Sequence, residues 1–528
     1  MNYVDLFRAT LPETALEIAA LLVLVFDLGF LRKAATNIRM EVAAMVGVVG
    51  CAAAIGAVFA AGWDGLSNGR YPLLAAGGPV AVAQIAILFL TALTLLLLID
   101  SEFTRNPGEY VSVVLMAAAG GMIISAAQDL LVIFVGLELL SLGLYILTAF
   151  AKKSGNSAEA ALKYYLFGGM SAAFLLFGFS YLYGLSGSTY LPRVIFGANN
   201  AASHGGSPLL VIALIMIAAG LGFKVAAVPF HFWAPDTYEG APAPAAAFIA
   251  SVSKVASFAL LISIGHAALR YLQILIELWQ RSGHTHAAHS VTVVGNAQPT
   301  AATMSVFYGW SLILVILSVA SMVFGNLAAL AQSSVRRLLA YSAIAHAGYI
   351  LLGLAFMFWP NRMSQAVLYY AVTYGLTTIG AFGVVGVVER ATGSDKLDSF
   401  LGLQKRNPLL AAVLLVLFLS LAGIPPLIGF WAKFNLFAAV LSMSGGGMRM
   451  GGGLLPLALV ALAIAMSAVS LYYYLQVLKR AFVMPEADDT PIKAHPVTMA
   501  VLIAIAAAVV VLGCFPALLQ SWIASFYA

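Results

Sequence analysis

Residues 224–236 read Lys-Val-Ala-Ala-Val-Pro-Phe-His-Phe-Trp-Ala-Pro-Asp, and this stretch interrupts a long apolar segment. Proline has no N–H donor and leaves backbone carbonyls without partners, which hydrocarbon tolerates only where protein or water covers them. Residues 422–433 read Ala-Gly-Ile-Pro-Pro-Leu-Ile-Gly-Phe-Trp-Ala-Lys and interrupt a second apolar segment in the same way. Each break precedes the tripeptide Phe-Trp-Ala. Broken helices at matching places in two halves of a transporter point to its binding path.

The composition places the chain in a membrane. Of its 528 residues, 62% are hydrophobic and 9% are charged, and the mean hydropathy is +0.98. Soluble globular chains are about 45–50% apolar and about 25% charged, so a soluble enzyme, a nucleic-acid-binding protein and a disordered scaffold are excluded. The two cysteines, Cys51 and Cys514, lie in apolar runs, which excludes a cysteine-ligated iron–sulfur cluster and a disulfide framework.

Apolar runs long enough to cross a bilayer recur along the whole chain. A helix needs about 20 residues to span the hydrocarbon, and we predict an all-α polytopic membrane protein of about fourteen transmembrane helices. The predicted spans are 11–31, 41–61, 79–99, 110–127, 129–150, 159–185, 208–231, 242–272, 304–326, 335–358, 364–390, 407–443, 455–483 and 496–523. The polar stretch 273–303 is the exception to short loops. Its histidines His284, His286 and His289 are predicted to be solvated, so we expect no metal site there.

The two breaks fall in predicted helices 7 and 12, which are five spans apart. An odd offset reverses the direction in which a helix crosses the bilayer, so we predict an inverted repeat of helices 4–8 and 9–13 with two discontinuous members. The predicted organisation is helices 1–3 in 1–108, a first repeat in 109–272, an outer loop in 273–303, a second repeat in 304–483 and a C-terminal helix in 484–528.

Basic residues in the loops predict the orientation. The termini and the loops on their side carry seven Lys and Arg residues, whereas the loops on the opposite side carry fifteen. Because basic loops stay in the cytoplasm, both termini are predicted to face the periplasm. This leaves four lysines inside predicted spans.

Three of those lysines, Lys224, Lys254 and Lys433, lie too deep in their spans to reach the headgroups. Each charge at mid-membrane costs roughly 2.5–3.5 kcal/mol, a large cost for groups that only hold the structure together. A buried lysine beside a movable carboxylate can bind and release a proton. Glu138, in the middle of its span, is the predicted carboxylate. We therefore predict a buried proton or ion path, rather than structural salt bridges alone.

Three further residues are secondary candidates for the path. Lys163 lies four residues from Glu159 and can also be explained as a lysine whose ammonium reaches the headgroups. His231 and His346 lie inside spans, where a histidine can relay protons because its pKa is near neutrality. A neutral histidine bonded to a neighbouring carbonyl is an equally good explanation of either one.

These segments resemble the antiporter-like membrane subunits of respiratory complex I, the proton-pumping NADH–quinone oxidoreductase. Residues 224–244 match a stretch that is specific for that superfamily, which also includes multisubunit cation/proton antiporters. The resemblance covers nearly the whole chain, and residues 11–17, 159–169 and 337–349 look like the N branch of the family. Subunit M carries a glutamate where this chain has Lys433, and subunit L extends past its fourteenth span in a long lateral helix.

The resemblance implies roles for the buried residues. Glu138 and Lys224 would form a switchable pair, Lys254 would be the central lysine, and Lys433 would lie near the exit half-channel. Lys163 resembles a lysine of the family's sixth helix, and His346 would lie beside the central axis.

The resemblance also implies the function. The chain would hold no cofactor and no redox group, and would translocate protons as a subunit of an H⁺-translocating oxidoreductase in the bacterial inner membrane. Flavin, iron–sulfur clusters and quinone would belong to partner subunits, and the neighbours would be subunit M, small helical subunits and lipid. Two alternatives stay open, a subunit of a multisubunit cation/proton antiporter and a structural membrane scaffold.

Overall fold

Long apolar helices make up most of the protein. The computed structural model describes residue 7 and residues 10–60, 73–101, 103–203, 207–281, 301–358, 363–442, 454–485 and 490–527. Twelve helices in these ranges are long and apolar enough to cross a membrane. They are α2 (Thr36–Ala60), α3 (Gly78–Leu98), α4 (Pro107–Ala126), α5 (Leu130–Thr148), α6 (Gly155–Ser186), α8 (Ser207–Val225), α10 with α11 (Ala243–Ala250 and Val252–Arg281), α12 (Ala301–Leu330), α13 (Val335–Ala355), α14 (Met363–Thr392), α18 (Leu454–Phe482) and α19 (Pro496–Cys514).

The two remaining predicted spans are built from shorter pieces. Predicted span 1 consists of α1 (Leu11–Val25) followed by a π-helical turn (Phe26–Phe30), and predicted span 12 consists of α16 (Pro408–Ala422) and α17 (Ile428–Leu441). The prediction of a polytopic all-α membrane protein is confirmed. The other short helices are α7 (Leu191–Ser203), α9 (Trp233–Gly240), α15 (Leu403–Arg406) and α20 (Pro516–Ser525).

The first break separates α8 from α9, and the second separates α16 from α17. At the end of α8, Ala226 has a φ of 59°, and the Ala227 N–H donates to the Gly222 carbonyl at 2.8 Å. At the end of α16, Gly423 has a φ of 89°, and the Ile424 N–H donates to the Leu419 carbonyl at 3.0 Å. Both ends are Schellman caps, with one left-handed residue and a six-to-one hydrogen bond. The common cap supports the predicted repeat.

Sequence analysis did not predict the interruption of span 8. The helix changes direction at Ser251, between α10 and α11, where no proline or glycine marks a break. The Ser251 hydroxyl donates to the Ala247 carbonyl at 2.6 Å, and such bonding to the preceding turn bends helices. The Val255 N–H still reaches the Ser251 carbonyl at 2.9 Å, so the bend keeps most of the helical hydrogen bonding.

The predicted outer loop 273–303 is shorter than expected. Helix α11 continues to Arg281 instead of ending at 272, and α12 begins at Ala301. Residues 271–281 contain mostly strong helix formers and no helix breaker before the Ser282-Gly283 pair, so the helix has no reason to end earlier. The histidines predicted to be solvated, at 284, 286 and 289, lie outside the described residues.

An ion pair fixes the N-terminal helices to one another. Asp27, in the turn after α1, accepts a hydrogen bond of 2.6 Å from the Arg39 guanidinium on α2. The same carboxylate accepts from the Gly108 N–H at 3.1 Å, at the start of α4. Because Asp27 is buried and saturated with donors, its role is structural.

A buried arginine caps the short helix α9. The Arg336 guanidinium donates to the Tyr238 carbonyl at 2.9 Å and to the Ala241 carbonyl, both at the C-terminal end of α9. It also pairs with Glu389 at 2.9 Å. These bonds attach α9 to α13 and α14, and α13 is enclosed by other helices along nearly all its length.

Candidate functional site: a line of buried lysines

The three lysines predicted to lie deep in the membrane are all buried. The exposed fractions are 7% for Lys224, 2% for Lys254 and 6% for Lys433. All three lie at or beside the two helix breaks. The described parts of the chain contain no ion pair that involves any of them, so their positive charges are held by neutral groups.

Lys224 occupies the last turn of α8 and points at α5. Its ammonium donates to the Ser141 hydroxyl, which in turn donates to the Leu137 carbonyl. Glu138 lies one helical turn before Ser141 on α5 and is half-buried, and no ion pair joins it to Lys224 in the described part of the chain. The switchable Glu138–Lys224 pair therefore stays a prediction.

Lys254, on α11, connects the first break to α13. Its ammonium donates to the Ala343 carbonyl at 2.6 Å and to the Val225 carbonyl at 3.3 Å. Val225 is the last residue of α8, and the Schellman cap leaves its carbonyl without a backbone donor. A charged lysine at the negative end of a half-helix dipole is stabilised there.

Lys433, on α17, donates to the free carbonyls at the second break. Its ammonium donates to the Ala422 carbonyl at 2.8 Å, to the Leu421 carbonyl at 3.1 Å and to the Ser467 hydroxyl at 2.8 Å. Leu421 and Ala422 are the last residues of α16, so their carbonyls are again those that the cap leaves free. The two breaks thus share their cap and the kind of cation that completes it.

One side of α13 connects these two lysines. Ala343 accepts from Lys254, and the ring of Tyr349 lies 5.5 Å from the Lys433 ammonium. His346 lies between them, and its Nδ1 is 3.0 Å from the Tyr370 hydroxyl. Its Nε2 is buried and has no hydrogen-bond partner in the described part of the chain. The structure thus brings the predicted His346 together with Lys254 and Lys433.

The structure does not bring the other two candidates into this line. His231 is buried in the first break, where its ring packs 4.5 Å from Phe232 and 4.7 Å from Phe324. No hydrogen bond joins it to a lysine among the described residues. Lys163 is 41% exposed and pairs with Glu159 at 2.8 Å and with Asp236 at 2.7 Å.

The ion pairs of Lys163 belong to a cluster of charged side chains on α6, α9 and α13. Arg337 bridges Asp236 at 2.7 Å and Glu239 at 2.8 Å, and the cluster borders a cavity of about 310 Å³. Partial burial raises the pKa of Asp236, but hydrogen bonds from Lys163 and Arg337 outweigh it, so the pKa lies below its usual value. Two cations thus keep this carboxylate charged.

Three residues of the site were missed by sequence reasoning. They are Ser141, Ser467 and Tyr349, which contact Lys224 or Lys433. Ser141 carried a usable signal, because it lies three residues after Glu138 and therefore on the same helix face. Ser467 and Tyr349 lie more than thirty residues from Lys433 in sequence, and no local pattern connects them with it.

The arrangement is a line of polar and ionisable side chains at the two helix breaks. From one end it contains Glu138, Ser141, Lys224, Lys254, His346, Tyr349 and Lys433. Ser141 contacts Lys224, and Lys254 donates to the carbonyl of the residue that follows Lys224. Lys254 also donates to the Ala343 carbonyl, one turn before His346 on α13, and the ring of Tyr349, one turn further on, lies beside Lys433. Because the lysine charges have only neutral partners, each ammonium can lose its proton without leaving an unpaired carboxylate behind.

Comparisons with known proteins agree with this architecture. A family model described as "NADH:quinone oxidoreductase/Mrp antiporter, TM" matches residues 127–280 and 288–453. A protein of Acidobacterium capsulatum called NADH-quinone oxidoreductase subunit N 2 is 45% identical over 99% of both chains. Subunit N 1 of Roseiflexus castenholzii is 38% identical over 84% of this chain and 78% of its own.

Two solved structures also resemble this chain. A chain of respiratory complex I from Thermus thermophilus superposes with a TM-score of 0.72 and 32% identity, over 97% of this chain and 98% of that one. A chain of the Mrp complex from Dietzia has a TM-score of 0.75 over 97% and 96%, but at 20% identity the likeness concerns the fold alone.

Proposed function

The chain belongs to the NADH:quinone oxidoreductase/Mrp antiporter transmembrane family, and on that premise we propose that it is the proton-translocating subunit N of a bacterial NADH-quinone oxidoreductase. The observation that carries this proposal is the set of three buried lysines at the two helix breaks, each held by backbone carbonyls or hydroxyls. Oxidation of NADH and reduction of quinone take place on other subunits, and this chain supplies a path for the proton.

Each lysine holds a proton in a defined place. Protonated Lys254 completes the cap of α8, and protonated Lys433 completes the cap of α16. Loss of the proton removes the positive charge that stabilises the free carbonyls, so occupancy and the geometry of the break are coupled. The two half-helices thereby respond to protonation of the line.

Electrostatic repulsion makes the two central sites depend on one another. The α13 contacts of Lys254 and Lys433 are six residues apart, a rise of about 9 Å along the helix. Two unit charges at that separation repel by about 2 kcal/mol at an effective dielectric of about 20. A proton that arrives at Lys254 therefore favours release from Lys433, and the titration belongs to the pair rather than to either lysine.

Glu138 is the member that can be switched. It lies one turn from Ser141, and a change in the charge distribution of the complex would move Lys224 from the Ser141 hydroxyl to the Glu138 carboxylate. We propose that this exchange starts each transfer. Lys163 on α6 and its ion-pair partner on α9 lie on the side of the bundle that we assign to the cytoplasm, where protons would enter. His346 would relay between the central lysines.

We propose that the chain lies in a bacterial inner membrane with both termini in the periplasm, which the excess of basic residues in the opposite loops supports. Subunit M and small helical subunits would cover part of the lipid-exposed surface. No residue of the described chain is assigned to flavin, iron–sulfur or quinone chemistry in this proposal.

The test is proton transport by the assembled complex in proteoliposomes. NADH and a quinone should acidify the lumen, without a requirement for Na⁺ or K⁺, and a protonophore should abolish the signal. Exchange of Na⁺ or K⁺ for H⁺ without NADH would instead favour the cation/proton antiporter. A complex that pumps normally after the buried lysines are replaced would favour the scaffold.

A further inference from the structure

A chain of buried polar side chains holds one aromatic ring beside Lys433. The Tyr473 hydroxyl donates to Asn326 Oδ1 at 3.1 Å, and Asn326 Nδ2 is 3.1 Å from the Tyr349 hydroxyl. Asn326 Nδ2 also donates to the Met322 carbonyl at 2.7 Å, which fixes the amide on α12. The exposed fractions of Asn326, Tyr349 and Tyr473 are 0%, 0% and 2%. Polar side chains are costly to bury unless they are hydrogen-bonded, and these three satisfy that condition by bonding to one another.

These hydrogen-bonded side chains position the ring of Tyr349. The Lys433 ammonium lies 5.5 Å from the centroid of that ring, inside the range in which a cation is attracted to an aromatic face. Phe437, one turn after Lys433 on α17, packs at 6.0 Å with an interplanar angle of 69°. The ring is thereby held between its hydroxyl contact on one end and an aromatic neighbour on its edge.

The three hydrogen atoms of the ammonium are already used elsewhere. They point to the Leu421 and Ala422 carbonyls and to the Ser467 hydroxyl. The ring therefore adds a contact that needs no donor and remains available when any of those hydrogen bonds is broken. An ammonium that moves must break them one at a time.

We propose that Tyr349 is a positioning residue for Lys433, whose ring face stabilises the protonated ammonium while it exchanges hydrogen-bond partners, and that Asn326 and Tyr473 hold the ring in place. The inference rests on the proposed function, since it assigns a role within the same proton path. The ring, not the hydroxyl, is the active part.

The chemistry of Asn326 supports this division of roles. An amide donates through nitrogen and accepts through oxygen, and it does not hand a proton from one neighbour to the next as a hydroxyl or an imidazole does. The sequence of Tyr473, Asn326 and Tyr349 is thus a support for the ring rather than a second proton path. The amide accepts from one tyrosine and is anchored by the Met322 carbonyl while it contacts the other.

The experiment compares two substitutions of the same residue in the assembled complex. Tyr349→Phe keeps the ring and should retain most NADH-driven proton pumping per NADH oxidised. Tyr349→Leu removes the ring and should lower pumping about fivefold, which corresponds to about 1 kcal/mol of lost cation–ring attraction. Tyr110→Leu is the matched control, because Tyr110 is also buried, on α4, and its ring packs against Phe103 and Phe150 rather than beside a lysine.

The remaining outcomes decide against the inference. Equal losses in Tyr349→Phe and Tyr349→Leu would assign the effect to the hydroxyl, and normal pumping in Tyr349→Leu would remove the role altogether. Lys254→Met in the same assay separates the proposed function from the role of Tyr349. If Lys254→Met abolishes pumping while Tyr349→Leu pumps normally, the proposed function stands and this inference fails.

A second variant keeps the inference testable if Tyr349→Leu does not assemble. Asn326→Leu leaves the ring in place but removes its support, and it should lower pumping about twofold, as expected for a ring that samples other orientations. Normal pumping in Asn326→Leu would overturn the support assigned to Asn326.

Discussion

Lys254→Met is the sharpest test of the buried line, because its effects on stability and on transport should separate. Methionine has a similar length and no charge, so the variant is freed from the roughly 2.5–3.5 kcal/mol that a charge costs at mid-membrane. It loses the bonds to Val225 and Ala343, each worth about 1.5–3 kcal/mol for a charged donor. The net destabilisation is then at most about 3.5 kcal/mol, and the complex should assemble.

Transport should fail nonetheless, since no group at position 254 can bind a proton. We expect NADH-driven pumping in proteoliposomes to fall at least about tenfold, while the subunit remains in the purified complex. Lys479→Met, at an exposed lysine near the end of α18, is the control and should pump normally. An assembled Lys254→Met complex with an unchanged ratio of protons to electrons would refute the reasoning.

Three further changes test other parts of the structure. Ser141→Ala removes the hydroxyl that holds Lys224, so pumping should change severalfold, and an unchanged rate would show that this contact is dispensable. Ala226→Gly should raise the free energy of unfolding by about 1 kcal/mol, because glycine adopts a positive φ without strain; Ala227→Gly, with no positive φ to relieve, should not, and thermal denaturation in detergent measures both. The pKa of Asp236 is lowered in the folded protein, so its contribution to stability is complete above its unfolded pKa of about 3.9 and is lost as the pH falls further. Asp236→Asn should lack this acid-dependent loss. Stabilities of the two proteins that fall in parallel between about pH 5 and about pH 2, a range that spans the unfolded pKa, would contradict it.

The sequence was informative at residues that are unusual in a membrane helix. Prolines in the apolar runs predicted both breaks, and lysines far from any headgroup predicted the buried charges, because each is anomalous in a membrane helix whatever its neighbours are. The bend at Ser251 was not predictable, since serine occurs in many straight helices and its bond to Ala247 depends on packing.

The partners of the lysines were harder to predict than the lysines themselves. Every residue carries a backbone carbonyl, so nothing in the sequence distinguishes Val225 or Ala422 as an acceptor. The carboxylate Glu138 was the natural choice from charge alone, whereas the structure gives Lys224 a hydroxyl. Ion pairing is a poor guide where a helix end offers free carbonyls in a medium without water.

The broken helices show why lysine rather than arginine occurs along the line. Arg336 closes the end of α9 through the same kind of carbonyl contact that Lys254 and Lys433 make at α8 and α16. A guanidinium retains its charge at every physiological pH, so its hydrogen bonds to the end of α9 do not depend on protonation. A primary amine can detach its hydrogen ion and later recover it. The proposed path thus uses arginine where the contact with a helix end is permanent and lysine where the contact is released in each proton transfer.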